Sequence, residues 1–167
     1  MNFNRAFELL IGNEGKFTRD PADRGNWTSG KVGVGELKGT KYGISAMSYP
    51  KLNIINITLD EAKTIYKRDF WDKINGENLP EAIRFDMFDA AVNMGVGTAC
   101  RILQETVGTT PDGNIGNVTL ACIATMNPET LDKRLAANRL LHLCQIPTWP
   151  SYGKGWVSRV ANNLLKD

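Results

Sequence analysis

Helix signals occupy most of this chain of 167 residues and limit its possible folds more than any other feature. Apolar residues recur at intervals of three and four within residues 3–10 and again within residues 157–164, which is typical of amphipathic helices. Between these stripes, Thr58 and Glu61 form a capping box, and Asn127 followed by proline is a typical helix start. We therefore predict a mainly α protein whose helices supply the core.

A glycine-rich stretch, residues 15–43, interrupts this pattern near the N-terminus. Within it, the run from Lys31 to Leu37 alternates apolar and polar residues and predicts a short β-hairpin loosened by glycine. The remaining turn and cap signals divide the rest of the chain into helices. The predicted helices cover residues 3–14, 58–71, 80–93, 98–107, 117–126, 127–146 and 157–164.

Composition excludes several classes of protein. A chain with 42% hydrophobic and 23% charged residues is an ordinary globular protein rather than a disordered one. The single histidine, His142, lies in an apolar run, and no Cys/His cluster accompanies it, which argues against zinc hydrolases and serine hydrolases. Three cysteines without a CxxC unit indicate buried thiols in a reducing compartment.

Neither a signal peptide nor a membrane span is predicted. Arg5 and Glu8 interrupt the opening apolar stretch, and no segment approaches the ~20 apolar residues of a spanning helix. We expect a monomer made in the cytoplasm, without integral membrane association, that needs another exit route to act outside. Residues 133–167 carry six basic side chains and one acidic one. This charge balance is typical either of a surface that binds an anionic polymer or of a solvated helix face.

Glu14 is the first candidate for chemistry. It lies four residues after Leu10 and seven after Phe7, so it continues the apolar stripe, and Gly15 follows as a natural helix stop. Apolar surroundings and the negative end of a helix would both raise the pKa of this carboxyl. A carboxyl protonated near neutral pH can give its proton to a leaving oxygen, as a glycosidase requires. The alternative is a surface glutamate that ends a helix.

The polar loop after Glu14 offers possible partners for it. Asp20, Asp23 and Thr28 follow within fourteen residues. A second carboxylate and a hydroxyl can orient water or stabilise an oxocarbenium-like transition state. Taken alone, the Asp-Pro-x-Asp sequence is also typical of a turn, because aspartates hydrogen-bond to the backbone that follows them.

Other polar and aromatic residues allow two interpretations each. Asp86, Asp89 and Asn93 fall on one helical stripe, where they either border a glycan cleft or close buried hydrogen bonds. Tyr42 is either a flat platform for a sugar or an ordinary packing residue. The aromatic cluster of residues 149–156 either contacts a glycan or an anionic peptide, or anchors the last helix. Since no groove-reading motif accompanies the basic residues, we expect no nucleic-acid partner.

Several segments occur in the order found in a known family. Glu-Gly-Lys-Phe at 14–17, Asp-Pro-Ala-Asp-Arg-Gly-Asn at 20–26 and Thr-Lys-Tyr-Gly-Ile-Ser at 40–45 resemble glycoside hydrolase family 108, which includes phage endolysins and bacterial muramidases. The segment 59–71 is similar to the same catalytic half. Segments 88–95, 103–104 and 112–116 resemble the peptidoglycan-binding half that usually follows it. The resemblance covers nearly the whole chain.

This resemblance implies a lysozyme-like fold with a catalytic half at residues 1–93 and a helical peptidoglycan-binding half at 94–167, packed as one globule. It places the catalytic glutamate on Glu14. It implies cleavage of the β-1,4 bond between N-acetylmuramic acid and N-acetylglucosamine, without a metal or other cofactor. It also implies an endolysin that reaches the wall from the host cytoplasm through a membrane lesion made by a partner protein.

The sequence departs from the family pattern at Lys16 and Asn26, which replace glycines. Either Thr28 or Thr40 fills the place of the family threonine, and Asp23 acts as a base, as an electrostatic stabiliser or as a loop staple. A lytic transglycosylase would use the same glutamate. The rival functions are a noncatalytic wall-binding or secretion-assisting protein and a basic nucleic-acid binder.

Overall fold

The computed structural model of the protein describes residues 1–12 and 16–165. Within these ranges the chain forms seven α-helices and one pair of short strands. They are α1 (Phe3–Ile11), β1 (Thr40–Lys41), β2 (Ile44–Ser45), α2 (Leu59–Tyr66), α3 (Glu81–Met94), α4 (Val96–Val107), α5 (Asn117–Ala124), α6 (Pro128–Cys144) and α7 (Trp149–Leu164). Short 3-10 turns span Arg24–Asn26, Ile54–Asn56 and Gly76–Asn78, and a π-helical turn spans Lys67–Trp71. The predicted mainly α, lysozyme-like fold with one small β-hairpin is confirmed.

The chain divides into two compact units. One, here called the helical unit, consists of Met1–Ala6 and Arg68–Asp167; the other, the loop-rich unit, is Phe7–Lys67. These divisions fall at different positions from the predicted functional halves, 1–93 and 94–167, whose boundary stays a prediction.

The helical unit is built around α3. This helix packs against α4, α6 and α7, and α4 also packs against α5. The rings of Phe3, Trp71 and Phe88 meet edge to face with centroids 5.5 to 5.9 Å apart, an arrangement that aromatic pairs favour. Burial of these large apolar side chains supplies much of the unit's stability.

Local signals set the helix ends as predicted. The Thr58 hydroxyl accepts the Glu61 N–H at 3.2 Å while the Glu61 carboxylate accepts the Thr58 N–H at 2.7 Å, which is the predicted capping box. The Asn127 side chain accepts the N–H of Thr130 at 3.0 Å and caps α6. Gly108 ends α4 with φ of +76°, a conformation that glycine adopts without strain.

The end of α1 differs from the prediction. The helix ends at Ile11, and Gly12 directly after it adopts a positive φ of +53°. A glycine one position beyond a short helix is the nearest residue able to leave the helical conformation without strain. Glu14, the predicted catalytic residue, lies outside the described residues.

The β-hairpin is present, but it lies later than the alternating run predicted. Thr40 pairs with Ser45 and Lys41 with Ile44 in antiparallel register. Residues 31–35 of this run instead form turns and bends, because Gly33 and Gly35 have φ of +77° and +78° and break the extended conformation. Leu37 forms only an isolated antiparallel bridge, with Trp27. The valines of the run, Val32 and Val34, are 55% and 51% exposed. The alternation of apolar and polar residues in this run therefore does not correspond to a strand with one buried face.

Candidate active site

One buried amide, the side chain of Asn26, organises the polar loop of the loop-rich unit. Asn26 has no exposed surface. Its Nδ2 donates to the carbonyl oxygen of Asp20 at 3.0 Å, and its Oδ1 accepts the Thr40 hydroxyl at 2.7 Å. Its own carbonyl oxygen accepts the N–H groups of Lys38 and Gly39 at 3.0 and 3.1 Å. Asn26 thus joins three segments of chain, and a satisfied buried amide fixes their relative positions.

The two predicted aspartates close tight turns in this loop. Asp20 Oδ1 accepts the N–H of Ala22 at 2.9 Å, and Asp23 Oδ1 accepts the N–H of Gly25 at 2.8 Å. Asp23 thereby caps the 3-10 turn Arg24–Asn26, as the loop-staple interpretation requires. Both residues are exposed. Further roles, substrate binding for Asp20 and catalytic support for Asp23, stay predictions.

The two candidate threonines have different bonding partners. Thr40 donates its hydroxyl hydrogen to Asn26, and its backbone forms two 2.9 Å bonds with Thr18. Thr28 uses its hydroxyl oxygen as an acceptor, for the N–H of Glu36 at 2.9 Å. Thr40 therefore links the hairpin to the polar loop, whereas Thr28 closes the glycine-rich turns. Which of them fills the family threonine's place stays open.

Tyr42 lies at the tip of the hairpin. It and Gly43 form a two-residue turn in which both φ angles are positive, +51° and +74°, as in a type I′ turn. The tyrosine carbonyl oxygen accepts the hydroxyl of Tyr66 at 3.1 Å, and the Lys41 ammonium lies 5.4 Å from the Tyr42 ring centroid. A positive φ is uncommon for a residue other than glycine. Its predicted sugar contact stays a prediction.

A cleft of about 370 Å³ opens in the loop-rich unit. It is lined by Phe17, Arg19, Leu37, Lys38, Lys51, Leu52, Asn53, Ile54 and Ile55. A second cleft of the same volume, lined mostly by residues 52–65, shares Leu52 and Asn53 with it. Among the described residues, none of the predicted site residues lines either cleft. No sequence pattern predicts the first cleft, because separate loops form its walls and such a surface has no periodicity.

In the helical unit, Asp89 is the centre of a buried charge network. It is 2% exposed, and Oδ2 accepts bonds from Arg139 at 2.7 Å and Asn163 at 3.0 Å, while Oδ1 accepts Arg159 at 2.6 to 2.8 Å. Burial alone would raise the pKa of Asp89, but the two arginines and their hydrogen bonds outweigh it and lower the pKa. For Asp89 the structure shows the second predicted role, closing buried hydrogen bonds. Asn93 is exposed, and its substrate contact stays a prediction.

Gln104 is a second buried amide that organises a loop, within the predicted peptidoglycan-binding half. Its Nε2 donates to Asp112 Oδ1 at 2.7 Å and to the Asn114 carbonyl oxygen at 3.0 Å, and its Oε1 accepts the Gly113 N–H at 2.8 Å. The bond from Gln104 lowers the pKa of the exposed Asp112 carboxyl. The two short segments that resemble the family, residues 103–104 in α4 and residues 112–113 in the turn after it, are therefore joined by hydrogen bonds.

The part of the chain that the structure describes has neither a membrane-spanning helix nor a cluster of metal ligands. No helix in residues 1–12 and 16–165 combines the length and apolar character needed to cross a membrane. Among the same residues, no three or more His, Cys, Asp or Glu side chains are grouped so that they could hold a metal ion.

Comparison with known proteins gives three results. Residues 7–95 match the family model described as Glycosyl hydrolase 108, and residues 98–161 match one described as Predicted Peptidoglycan domain. A solved structure, described as "Structure of Brucella abortus SagA", is similar at 28% sequence identity and a TM-score of 0.81, covering 98% of this chain and 92% of that one. A search of curated proteins found no match.

Proposed function

Because this chain belongs to glycosyl hydrolase family 108, we propose that it is an N-acetylmuramidase that cleaves the β-1,4 bond between N-acetylmuramic acid and N-acetylglucosamine. The two family matches together support a glycoside hydrolase that acts on peptidoglycan. The observation that carries the proposal is the match over residues 7–95, because that stretch contains both Glu14 and the polar loop held by Asn26.

Glu14 is the proposed general acid. Its residue type, its place after the apolar stripe and its position in the family pattern support this role. A protonated Glu14 would give its proton to the glycosidic oxygen while the C1–O bond breaks, and water would then complete hydrolysis at the oxocarbenium-like carbon. Asp23 remains a proposed supporting residue, as base or as electrostatic stabiliser.

The organisation of the loop-rich unit supports catalysis by preorganisation. Asn26 holds the Asp20 carbonyl oxygen and the Thr40 hydroxyl at fixed separations of 3.0 and 2.7 Å. Catalytic groups act well only when surrounding bonds hold their supports in place before substrate binds. The polar loop, in which the Asp20 carbonyl oxygen accepts a hydrogen bond from the buried Asn26 amide, is such a support.

The first prediction tests the general acid. Replacement of Glu14 by Gln preserves shape and removes the proton donor, so hydrolysis of purified cell wall should fall by at least about 100-fold. Release of reducing ends measures the activity, and unchanged circular dichroism confirms folding. Glu8→Gln, at an exposed position of α1, is the matched control and should keep full activity. Near-normal activity of Glu14→Gln would contradict the proposed role.

Mass spectrometry of the digestion products separates the alternatives. A muramidase releases reducing muramic acid ends, whereas a lytic transglycosylase releases anhydro ends. A noncatalytic wall-binding protein sediments with wall fragments and releases neither. A nucleic-acid binder shows salt-sensitive retention on DNA and has no affinity for the wall.

We further propose that the hydrolase acts as an endolysin, as a monomer made in the bacterial cytoplasm that reaches the wall through a membrane-permeabilising partner. The resemblance to glycoside hydrolase family 108, which includes phage endolysins, supports this proposal. Expression in a bacterial cytoplasm should leave cells intact until a pore-forming protein is induced, and the culture should then lyse.

A further inference from the structure

We infer that the 370 Å³ cleft of the loop-rich unit binds the acidic peptide stem of peptidoglycan, so that the hydrolase favours glycan strands that still carry their peptides. The inference rests on the proposed function and adds a second recognition element to it. Three cationic side chains, Arg19, Lys38 and Lys51, line the cleft. Among the described residues, no aspartate or glutamate belongs to its lining.

Hydrogen bonds to the backbone hold two of these cations in place. Arg19 Nε donates to the carbonyl oxygen of Leu37 at 2.8 Å, and Lys38 Nζ donates to the carbonyl oxygen of Pro50 at 2.8 Å. Lys51 follows Pro50 directly in the chain. The positive groups are thus gathered on one cleft rather than spread over the surface, and such a cleft concentrates anionic ligands.

The local charge balance stays positive. Glu36 pairs with Lys38 at 3.1 Å, but the side chain of Glu36 is 75% exposed. An exposed pair of this kind contributes little and is easily exchanged for a ligand carboxylate. Arg19 and Lys51 face no acidic partner within the described part of the chain.

Apart from Asn53, the rest of the lining is apolar. Ile54 is buried, Ile55 is 53% exposed, and Phe17 and Leu52 are half-buried. A ligand that combines carboxylates with small apolar groups therefore matches the three cations and the apolar side chains of this cleft. The peptide stem has this mixture, because its alanines supply methyl groups and its D-glutamate and terminal residues supply carboxylates.

The cleft also adjoins the polar loop. Lys38, in its lining, donates its backbone N–H to the carbonyl oxygen of Asn26 at 3.0 Å. Phe17, also in the lining, follows Glu14 by three positions in the sequence. Because each stem is attached to a muramic acid, holding the stem here would orient that sugar for cleavage.

A charge reversal tests the inference through substrate preference. The value of kcat/KM is measured on peptide-bearing strands and on strands stripped of peptides by an amidase, which retain only the lactyl carboxylates. For Lys51→Glu, the ratio between the two substrates should fall about tenfold, mainly through KM. Lys31→Glu, an exposed change of equal charge outside the lining, should keep the wild-type ratio. An unchanged ratio for Lys51→Glu would overturn the inference.

Direct binding makes this test independent of catalysis. The tetrapeptide L-Ala-γ-D-Glu-diaminopimelate-D-Ala is titrated into the full chain and followed by NMR. Shifts at the backbone of Lys38 and Leu52, weakened by salt and lost when the peptide carboxyls are amidated, support the inference. No peptide binding, or oligonucleotide binding that Lys51→Glu abolishes, overturns it. Absence of glycan cleavage by the wild type would instead refute the proposed function alone.

Discussion

The two units of this protein are stabilised in different ways. The helical unit contains an edge-to-face aromatic core and a buried network of charges on α3, α6 and α7. The loop-rich unit contains short turns that depend on one buried amide, that of Asn26. Charges are thus buried where several helices surround them, whereas the polar loop relies on neutral hydrogen bonds.

Charge burial makes the helical unit sensitive to loss of one partner. Arg139 is 2% exposed and pairs with Asp89 at 2.7 Å, while its Nη1 lies 3.7 Å from Asp86 Oδ1. A buried ion without its partner costs far more than an exposed one. The network therefore depends on both members of the close pair.

The largest expected effect is that of Asp89→Asn. The amide retains the size of the carboxylate but leaves Arg139 buried without its close counter-charge, so the free energy of unfolding should fall by about 3–5 kcal/mol. Urea denaturation followed by circular dichroism measures the loss. Glu105→Gln, at an exposed position of α4, is the control and should change stability by less than about 0.5 kcal/mol. A similar loss of stability in both variants would show that the buried charge network is no more sensitive to substitution than an exposed position.

The two aspartates of the network, Asp86 and Asp89, should affect stability in opposite directions as pH changes. Burial raises the pKa of Asp86 to about 6, although the bond from Asn163 opposes this. Between about pH 4 and 6 the folded protein keeps a proton that the unfolded chain releases, so this group lowers stability as pH rises. Asp89 has the opposite sign, because its pKa is lowered: its contribution is present above the unfolded pKa and is lost on acidification.

Asp86→Asn should therefore gain stability relative to the wild type as pH rises. The difference between the two unfolding free energies should grow by about 2 kcal/mol from pH 4 to pH 7, because the cost of burying the charged carboxylate is removed. Urea denaturation at several pH values provides the curves. Parallel curves for the two proteins would show that Asp86 ionises alike in the folded and unfolded chain.

The same contrast explains what the sequence could predict. Helix ends such as the capping box of Thr58 and the cap at Asn127 depend on residues three positions apart, so local patterns identified them. Asn26 has partners six and fourteen positions away, and a single buried polar residue has no periodicity. It entered the sequence analysis only as a departure from a family glycine. The alternating run from Lys31 to Leu37 led to a wrong position for the hairpin. The conformation of this run is set by its glycines rather than by burial of its side chains.

Asn26→Ala tests the neutral half of the comparison. It removes the donor to the Asp20 carbonyl oxygen and the acceptor for the Thr40 hydroxyl, so the free energy of unfolding should fall by about 1–3 kcal/mol. Wall hydrolysis should fall further than stability explains, since the polar loop loses its fixed position. Full activity in a folded Asn26→Ala protein would show that the amide stabilises the loop without serving catalysis.

The smallest expected effect distinguishes the two threonines. Thr40→Ala breaks the 2.7 Å bond to Asn26, so it should cost about 1 kcal/mol, and combined with Asn26→Ala its effect should be less than additive. Thr28→Ala removes an acceptor of the Glu36 N–H near the surface, where water can replace it, and should cost less than about 0.5 kcal/mol. Urea denaturation and wall hydrolysis are measured for both. If Thr28→Ala lowers hydrolysis without changing stability, Thr28 fills the family threonine's place. Equally mild losses of hydrolysis in both variants would show that neither threonine has that role. Catalysis would then depend on Glu14 and the aspartates of the polar loop alone.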